Sequence, residues 1–210
     1  MGSTVTKFCI DLNEVRVGLP AQFSLRRDES PWVSTIVRRA TTSGQLYVTH
    51  TGLAGDQCSD ARPQRPDELG DNQMHGGPFK ALYAYPWEEH LPWWRDRIGE
   101  AGLVGRTFGE QLRITGINEH EVHEGDVWYW GDEVVLEVTK PRIPCNTLVR
   151  HFGDLPMISI MQHSDGRCGW YLKVRHGGYA PTYCRITVEP NLQGRTIAEM
   201  FAARMNVPVA

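Results

Sequence analysis

The clearest structural signal in this chain is the sequence Glu133-Val-Val-Leu-Glu-Val-Thr139, which runs into Pro141-Arg-Ile-Pro-Cys145. In the first segment apolar residues alternate with Glu137 and Thr139, which is the period of a strand with one face buried. The two prolines of the second segment prevent the strand from continuing through a sheet. The sequence therefore predicts a strong strand whose end presents the thiol of Cys145.

Shorter runs with β-branched, aromatic or alternating residues predict further strands on both sides of this segment. Gly131–Asp132 provides a tight hairpin just before it. The other predicted strands are Lys7–Ile10, Gln45–Thr49, Ala81–Tyr85, Gln111–Thr115, Asp126–Trp130, Gly169–Val174 and Tyr183–Glu189.

Four segments have helical character, and one of them is a short helix that Asp154 can cap and that carries Met157, Ile158, Ile160 and Met161. Pro86 opens a helix whose apolar residues Trp87, Leu91, Trp94 and Ile98 recur at helical spacing, and Pro92 is expected to kink or restart it. A short helix, Thr147–Phe152, is expected to end at Gly153. The capping box Thr196-Ile-Ala-Glu199 opens an amphipathic C-terminal helix.

These patterns predict a β-rich α+β fold, a barrel with a few short helices and a C-terminal amphipathic helix. We interpret residues 1–190 as a single domain and residues 191–210 as a helical extension. The segment from Gly55 to Gly77 is rich in Gly, Pro, Asp, Gln and Arg, so we expect a long polar loop, with residues 57–74 at its centre.

Composition excludes several classes of protein. The net charge of -3 gives no general attraction to nucleic acid or to an anionic membrane. No apolar run approaches the roughly 18 residues of a membrane span, and no signal peptide is apparent at the N-terminus. Five scattered cysteines do not form a secreted disulfide framework. We therefore expect a cytoplasmic protein with free thiols that binds neither nucleic acid nor membranes.

Three short motifs carry groups that can do chemistry. Cys145 follows Arg142 at the predicted strand end, although a single cysteine is more often a small buried apolar residue. His75-Gly-Gly-Pro-Phe-Lys80 offers a close backbone approach with an anion partner or proton donor, or simply a turn. Glu110 enters a strand after a glycine, as a buried relay or as an exposed acid in a turn.

Other common sites find little support. No paired cysteine or histidine spacing for zinc occurs, so a zinc site would rest on scattered histidines alone. Fingerprints of phosphate-binding loops, dinucleotide sites and hydrolase nucleophile elbows are absent. We therefore expect no nucleotide or flavin site in this chain.

Taken in order, the motifs resemble the MOSC superfamily, named after the C-terminal domain of molybdenum cofactor sulfurase, over residues 32–182. The similarity is nearest to the compact bacterial branch of 6-N-hydroxylaminopurine-resistance proteins. The matching motifs are Gly52-Leu-Ala-Gly-Asp56, His75-Gly-Gly-Pro-Phe-Lys-Ala-Leu82, Tyr85-Pro86, Phe108-Gly-Glu-Gln-Leu112, Gly125-Asp126, Pro141-Arg-Ile-Pro-Cys145 and Gly169-Trp170.

The resemblance implies a β-barrel in which Cys145 ligates the molybdenum of a molybdopterin cofactor. It also implies reduction of small N-hydroxylated substrates, with electrons from a separate reductase. On this reading Glu110 and His75 orient the cofactor or move protons. Charge and placement suggest further cofactor contacts from Lys80, Arg142, Arg150, Gly76 and Gly77.

Some features depart from the family pattern. Gln111 stands where the family usually has Asn, and the 57–74 loop is longer than usual. Only one C-terminal helix is predicted, so a homodimer that covers the cofactor is an open alternative. Cys58 in the long loop is either a solvated thiol or the partner of Cys145 in a regulatory disulfide.

Two other functions remain open at this point. Cys145 could act without molybdenum as a nucleophile or persulfide carrier in sulfur transfer or C–S bond cleavage. Alternatively, the domain could bind and deliver the cofactor without catalysing a reaction.

Overall fold

The computed structural model describes residues 6–19, 21–23, 32–34, 36–56, 76–153 and 155–209, with backbone only for 21–23 and 32–34. It contains thirteen strands within these ranges. They are β1 Phe8–Val17, β2 Ala21–Phe23, β3 Trp32–Ser34, β4 Arg39–Ala40, β5 Gln45–Thr49, β6 Gly52–Leu53, β7 Leu82–Tyr85, β8 Leu112–Thr115, β9 Val127–Trp130, β10 Val134–Pro141, β11 Trp170–His176, β12 Gly178–Pro181 and β13 Cys184–Glu189.

Strand β10 is the centre of the fold, as its alternating sequence predicts. It pairs antiparallel with β9 across the predicted hairpin and with β11 on its other side, where Pro141 lies opposite Trp170. Val134, Leu136 and Val138 are buried, whereas Val135 and Glu137 are half-buried on the other face. The strand therefore separates the core from the outer surface.

Seven strands close into a barrel in the order β13-β9-β10-β11-β7-β8-β1, and β1 returns to pair with β13. All pairs are antiparallel except β7 and β8, which run parallel. Strand β4 extends the edge of β1, and β5, β6 and β12 form a small separate sheet. The predicted β-rich α+β barrel is confirmed.

The interior of the barrel is filled by large aromatic side chains. Trp128 and Trp170 are fully buried and meet edge to face, with ring centroids 5.9 Å apart. Beside the barrel, Trp94, Phe108 and Phe152 form a second aromatic group that joins the helices to the strands. Among the tryptophans whose side chains the structure describes, Trp94, Trp128, Trp130 and Trp170 are fully buried and serve as core.

The described ranges contain four α-helices outside the barrel: α1 Trp87–Leu103, α2 Asn146–Phe152, α3 Met157–Gln162 and α4 Ile197–Met205. The expectation that Pro92 kinks the first helix is wrong. Pro92 lies on the exposed side of α1, and the non-helical backbone is instead at Gly99, with φ 69° and ψ 166°. On an exposed face water can replace the hydrogen bond that proline removes, so the helix continues.

The C-terminal helix α4 packs on the barrel, as expected for an amphipathic helix. The predicted capping box is present: the Thr196 hydroxyl accepts from the Glu199 N–H, and the Glu199 side chain accepts from the Thr196 N–H. Ile197 and Phe201 are buried. None of the helices in the described residues is long and apolar enough to cross a membrane.

Candidate functional site

Cys145 lies between the end of strand β10 and the start of helix α2. Its backbone is extended, with φ −135° and ψ 167°, and its carbonyl accepts the first hydrogen bond of the helix from the Val149 N–H. The thiol makes no capping hydrogen bond to the helix and is a free thiol, half-buried. The two prolines thus place the thiol at the rim of the barrel, where small molecules can reach it.

Arg142 lies beneath this thiol and is buried. Its Nη2 atom is 3.8 Å from the Cys145 sulfur, and its Nη1 atom donates to the Ile143 carbonyl at 3.2 Å. The guanidinium also lies 6.0 Å from the centre of the Tyr83 ring. Because arginine stays protonated in proteins, the site holds a permanent positive charge beside the sulfur.

Two tyrosines connect this pair to Lys80. The rings of Tyr83 and Tyr171 are 5.5 Å apart, and the Lys80 Nζ lies 5.6 Å from the centre of the Tyr171 ring. Burial raises the pKa of Tyr83 well above its usual value, so its hydroxyl stays protonated and donates to the Cys168 carbonyl at 2.8 Å. Arg142 and Lys80 therefore flank one aromatic pair.

Lys80 ends a 3-10 turn, Pro78–Lys80, that follows Gly76 and Gly77. The Phe79 carbonyl of this turn accepts from the Thr139 hydroxyl at 2.7 Å, which fixes the turn against strand β10. His75, just before the turn, lies outside the described residues, as do Cys58 and the 57–74 loop, so the predictions for them stay predictions. Arg150 is exposed in the last turn of α2.

Glu110 is fully buried at the entry to strand β8. One carboxylate oxygen accepts from Nε and Nη2 of Arg113, both at 2.8 Å, and the other accepts from the Phe108 N–H at 2.9 Å. The Arg16 Nε lies 3.8 Å from the first oxygen. The carboxylate is therefore held in an ion-paired position beside Arg113.

Gln111, the departure from the family pattern, has a structural use. Its side-chain oxygen accepts from the Tyr83 N–H at 2.8 Å, and its side-chain nitrogen donates to the Ala81 carbonyl at 3.4 Å. The buried amide thus pairs with the backbone at the start of β7. This contact fixes the segment that carries Tyr83 into the site.

A second buried carboxylate, Glu119, was not singled out by the sequence. It accepts from the Gly169 N–H at 2.7 Å and the Cys168 N–H at 3.1 Å, and His90 Nε2 lies 2.8 Å from its other oxygen. The Gly169 carbonyl in turn accepts from the Arg142 N–H at 3.1 Å. Sequence alone offered only an isolated glutamate in a loop, 50 positions from Gly169.

Side-chain groups in the described ranges do not form a metal site of their own. No cluster of three or more His, Cys, Asp or Glu residues suited to a metal ion occurs among them. Among the described residues Cys145 has no side-chain partners for a metal ion, so a metal there would need further ligands, such as the sulfur atoms of a pterin cofactor.

The closed barrel with a thiol at its rim defines a known class of domain. A family model described as MOSC domain matches residues 71–190, and the chain belongs to this family. It is 31% identical to Protein YiiM of Escherichia coli (strain K12) over 173 residues, which is 82% of this chain and 71% of that protein. The predicted resemblance to the compact bacterial branch is confirmed.

Two further comparisons extend this result. The chain is 30% identical over 149 residues to a protein called Reductase from Gibberella moniliformis, which covers 70% of this chain and 24% of that protein. The crystal structure of YiiM from Escherichia coli matches with a TM-score of 0.67 and 24% identity, over 96% of this chain and 80% of that one. The structural likeness supports the fold.

Proposed function

We propose that this protein is a MOSC-type oxidoreductase that binds molybdenum–molybdopterin through Cys145 and reduces small N-hydroxylated compounds. Family membership and the relative called Reductase support an enzyme of this general type. The observation that carries the finer proposal is the Cys145–Arg142 pair, in which a reachable sulfur lies 3.8 Å from a buried guanidinium.

The donor set fits the proposed group. A metal ligand must be a thiolate, which is a soft donor suited to molybdenum, and a nearby arginine favours that form of a cysteine. The half-buried sulfur is free, so one ligand position is available from the chain. Lys80 lies on the far side of the tyrosine pair, where its ammonium group would neutralise the phosphate of the cofactor.

When bound, the cofactor would supply a two-electron redox centre for cleavage of the N–O bond. The residues of the chain have separate tasks. Arg142 stabilises the thiolate, Lys80 with Arg150 binds the anionic part, and Gly76 and Gly77 allow close approach of the backbone. Glu110 accepts from the Phe108 N–H and so orients this part of the site. His75 is the proposed proton donor.

N–O cleavage consumes two electrons and two protons. The fold described above has no flavin-type domain, so the proposal places the electron source in a separate reductase. We propose that the protein acts in the cytoplasm on a small-molecule substrate. In a homodimer, a second copy of the chain would shield the cofactor site from solvent.

The test is elemental analysis of the protein from a host that makes the cofactor, comparing wild type with Cys145→Ala and with Cys184→Ala. Cys184 is also a half-buried free cysteine, but it lies on strand β13. We expect near-stoichiometric molybdenum in wild type and Cys184→Ala and its loss in Cys145→Ala. Reduction of a hydroxylamine or an amidoxime with a chemical reductant should follow the same order.

Other results would overturn the proposal. No metal in any variant, together with a persulfide on Cys145 detected by mass spectrometry, would show a sulfur-transfer or C–S-cleaving enzyme instead. Stoichiometric molybdenum without turnover of any N-hydroxylated compound would show a cofactor-binding or delivery module.

A further inference from the structure

The backbone that carries Arg142 is held by a turn of another segment. Besides its contacts with Ile143 and Cys145, Arg142 has its N–H bonded to the Gly169 carbonyl at 3.1 Å. Residue 142 follows the end of β10, and residue 169 precedes β11, so this hydrogen bond continues the pairing of the two strands beyond their ends. The position of Gly169 therefore fixes the backbone from which the Arg142 side chain extends.

The turn itself has two anchors. On one side the Tyr83 hydroxyl donates to the Cys168 carbonyl at 2.8 Å. On the other, one oxygen of Glu119 accepts from both the Cys168 and Gly169 N–H groups, at 3.1 and 2.7 Å. A carboxylate that receives two backbone N–H groups fixes a turn more strongly than neutral acceptors do.

His90 of helix α1 holds the Glu119 carboxylate in place. The His90 Nε2 lies 2.8 Å from one carboxylate oxygen and 3.0 Å from the other, and both side chains are almost fully buried. A buried carboxylate is costly unless its oxygens are satisfied. Here each oxygen has a partner, and a continuous path of contacts runs from His90 through Glu119, Gly169 and Arg142 to Cys145.

We infer that Glu119 is a positioning residue for the reactive thiol: it holds the Cys168–Gly169 turn and so keeps the Arg142 guanidinium against the sulfur of Cys145. The inference deepens the proposed function, since it rests on Cys145 being the reactive group. His90 acts one step further away, by orienting the carboxylate.

The sign of the effect separates positioning from simple charge. Removal of a negative charge at Glu119 would by itself lower the electrostatic repulsion on a nearby thiolate and make it more reactive. Loss of the turn would have the opposite effect, because the Arg142 guanidinium would move away from the sulfur, which would then react without a neighbouring cation. Slower reaction of Cys145 therefore indicates positioning.

The test measures the rate at which iodoacetamide alkylates Cys145, read from its peptide by mass spectrometry, in the full chain made in a host that lacks the cofactor. Arg142→Met sets the lower limit, because it removes the cation beside the sulfur, and we expect its rate to be about tenfold below that of the wild type. Glu119→Met should fall close to that limit. Glu119→Gln should stay within about twofold of wild type, because its amide oxygen still accepts both N–H groups.

Asp126→Leu is the matched control. Asp126 is another buried carboxylate that accepts two backbone N–H groups, from His123 at 2.9 Å and Asn191 at 2.6 Å, but none from the turn at Gly169. We expect it to leave the alkylation rate at the wild-type value, even though it lowers stability. A fall equal to that of Glu119→Met would overturn the inference, because general loosening would then explain both.

The double variant Glu119→Met, Arg142→Met tests whether Glu119 acts on Cys145 through Arg142. If Glu119 acts through Arg142, the double variant reacts as slowly as Arg142→Met alone. If Glu119→Met slows alkylation of the Arg142→Met protein as much as it slows that of the wild type, the inference is overturned. Since the assay contains no molybdenum, failure of the proposed cofactor to bind would not change it.

If Glu119→Met does not fold, Tyr83→Phe replaces it, because it removes the other anchor of the turn and keeps the ring beside Arg142. We expect alkylation to slow by at least about twofold. An unchanged rate in folded Tyr83→Phe would then overturn the inference.

Discussion

The backbone N–H of Thr107 donates to the Nε2 atom of His151 at a distance of 3.3 Å. This contact joins the loop before strand β8 to helix α2, the helix that begins after Cys145. The ring must be neutral at Nε2 to accept, and burial, followed by the charge of Arg106, lowers the pKa of His151 from 6.5 to about 4. The helix behind the thiol is therefore sensitive to acid.

This contact predicts a loss of stability between pH 6.5 and about 4. In that range an unfolded His151 binds a proton and the folded one does not, so the free energy of unfolding falls as the pH falls, by at most about 3 kcal/mol. Denaturant unfolding at several pH values measures it. In His151→Gln the amide oxygen still accepts from Thr107 and does not titrate, so this component should vanish.

The control for that experiment is His163→Gln, which changes an exposed histidine at the end of helix α3. We expect it to keep the wild-type pH dependence. If His151→Gln also keeps it, the contact with Thr107 is not the source of the acid sensitivity.

Gly169→Ala should be severely destabilising. Gly169 has φ 65°, and an added Cβ would lie 2.5 Å from the Ala84 carbonyl and 2.6 Å from Cε2 of Tyr83. The backbone of β7 cannot move without breaking the barrel, so we expect a loss of about 3 kcal/mol or more in the free energy of unfolding. Thermal or urea unfolding measures this loss.

Gly153→Ala separates the clash from the backbone conformation. Gly153 has a similar φ of 71°, but an added Cβ would have no atom within 4 Å. We expect a loss of about 1 to 3 kcal/mol, which is the cost for a side-chain-bearing residue of adopting φ 71° and ψ −127° without any clash. Equal losses in the two variants would show that the clash at Gly169 is relieved.

Gln111→Leu should lower the free energy of unfolding by about 1 to 3 kcal/mol, since it leaves the buried N–H of Tyr83 without an acceptor. Gln111→Asn restores the usual residue of the family but shortens the side chain by one methylene group, so we expect it to be intermediate. Gln45→Leu, at an exposed glutamine of β5, should change stability by less than about 0.5 kcal/mol. An effect of Gln111→Leu that is no larger would contradict the role of the amide.

Arg113→Met should cost about 3 kcal/mol in urea unfolding, because it leaves the fully buried carboxylate of Glu110 without its main partner. Arg95→Met is the surface counterpart, where Arg95 and Glu100 are both largely exposed. We expect less than about 1 kcal/mol there. Similar costs at the two positions would mean that Glu110 is not an ion-paired anchor.

The strands beside the site were predictable from the sequence almost to the residue. The period-two pattern of β10 is unambiguous, and the structure extends the predicted end from Thr139 to Pro141. Proline is tolerated there because the last residue of a strand need not donate to its neighbour. The position of Cys145 just beyond the barrel strand follows from the same pattern.

Other features depend on packing that one sequence does not reveal. Pro92 was expected to kink α1, but only its exposed position explains why it does not, and exposure is a property of the fold. Glu119 and His90 are 29 positions apart, and each resembles an ordinary surface residue in its own segment. Their burial arises only when α1 and the turn at Gly169 meet the same loop.

The pairing of β1 with β13 joins Phe8 to Val188, two residues 180 positions apart. During synthesis, β1 emerges before all the other strands of the barrel and must wait for β13 before its second neighbour exists. Until then the open sheet presents unpaired edges on β1 and β9, which can pair with other chains. Closure of the barrel is therefore a late event, and protease protection of chains truncated at Pro181 or at Asn191 would show it appearing only in the longer one.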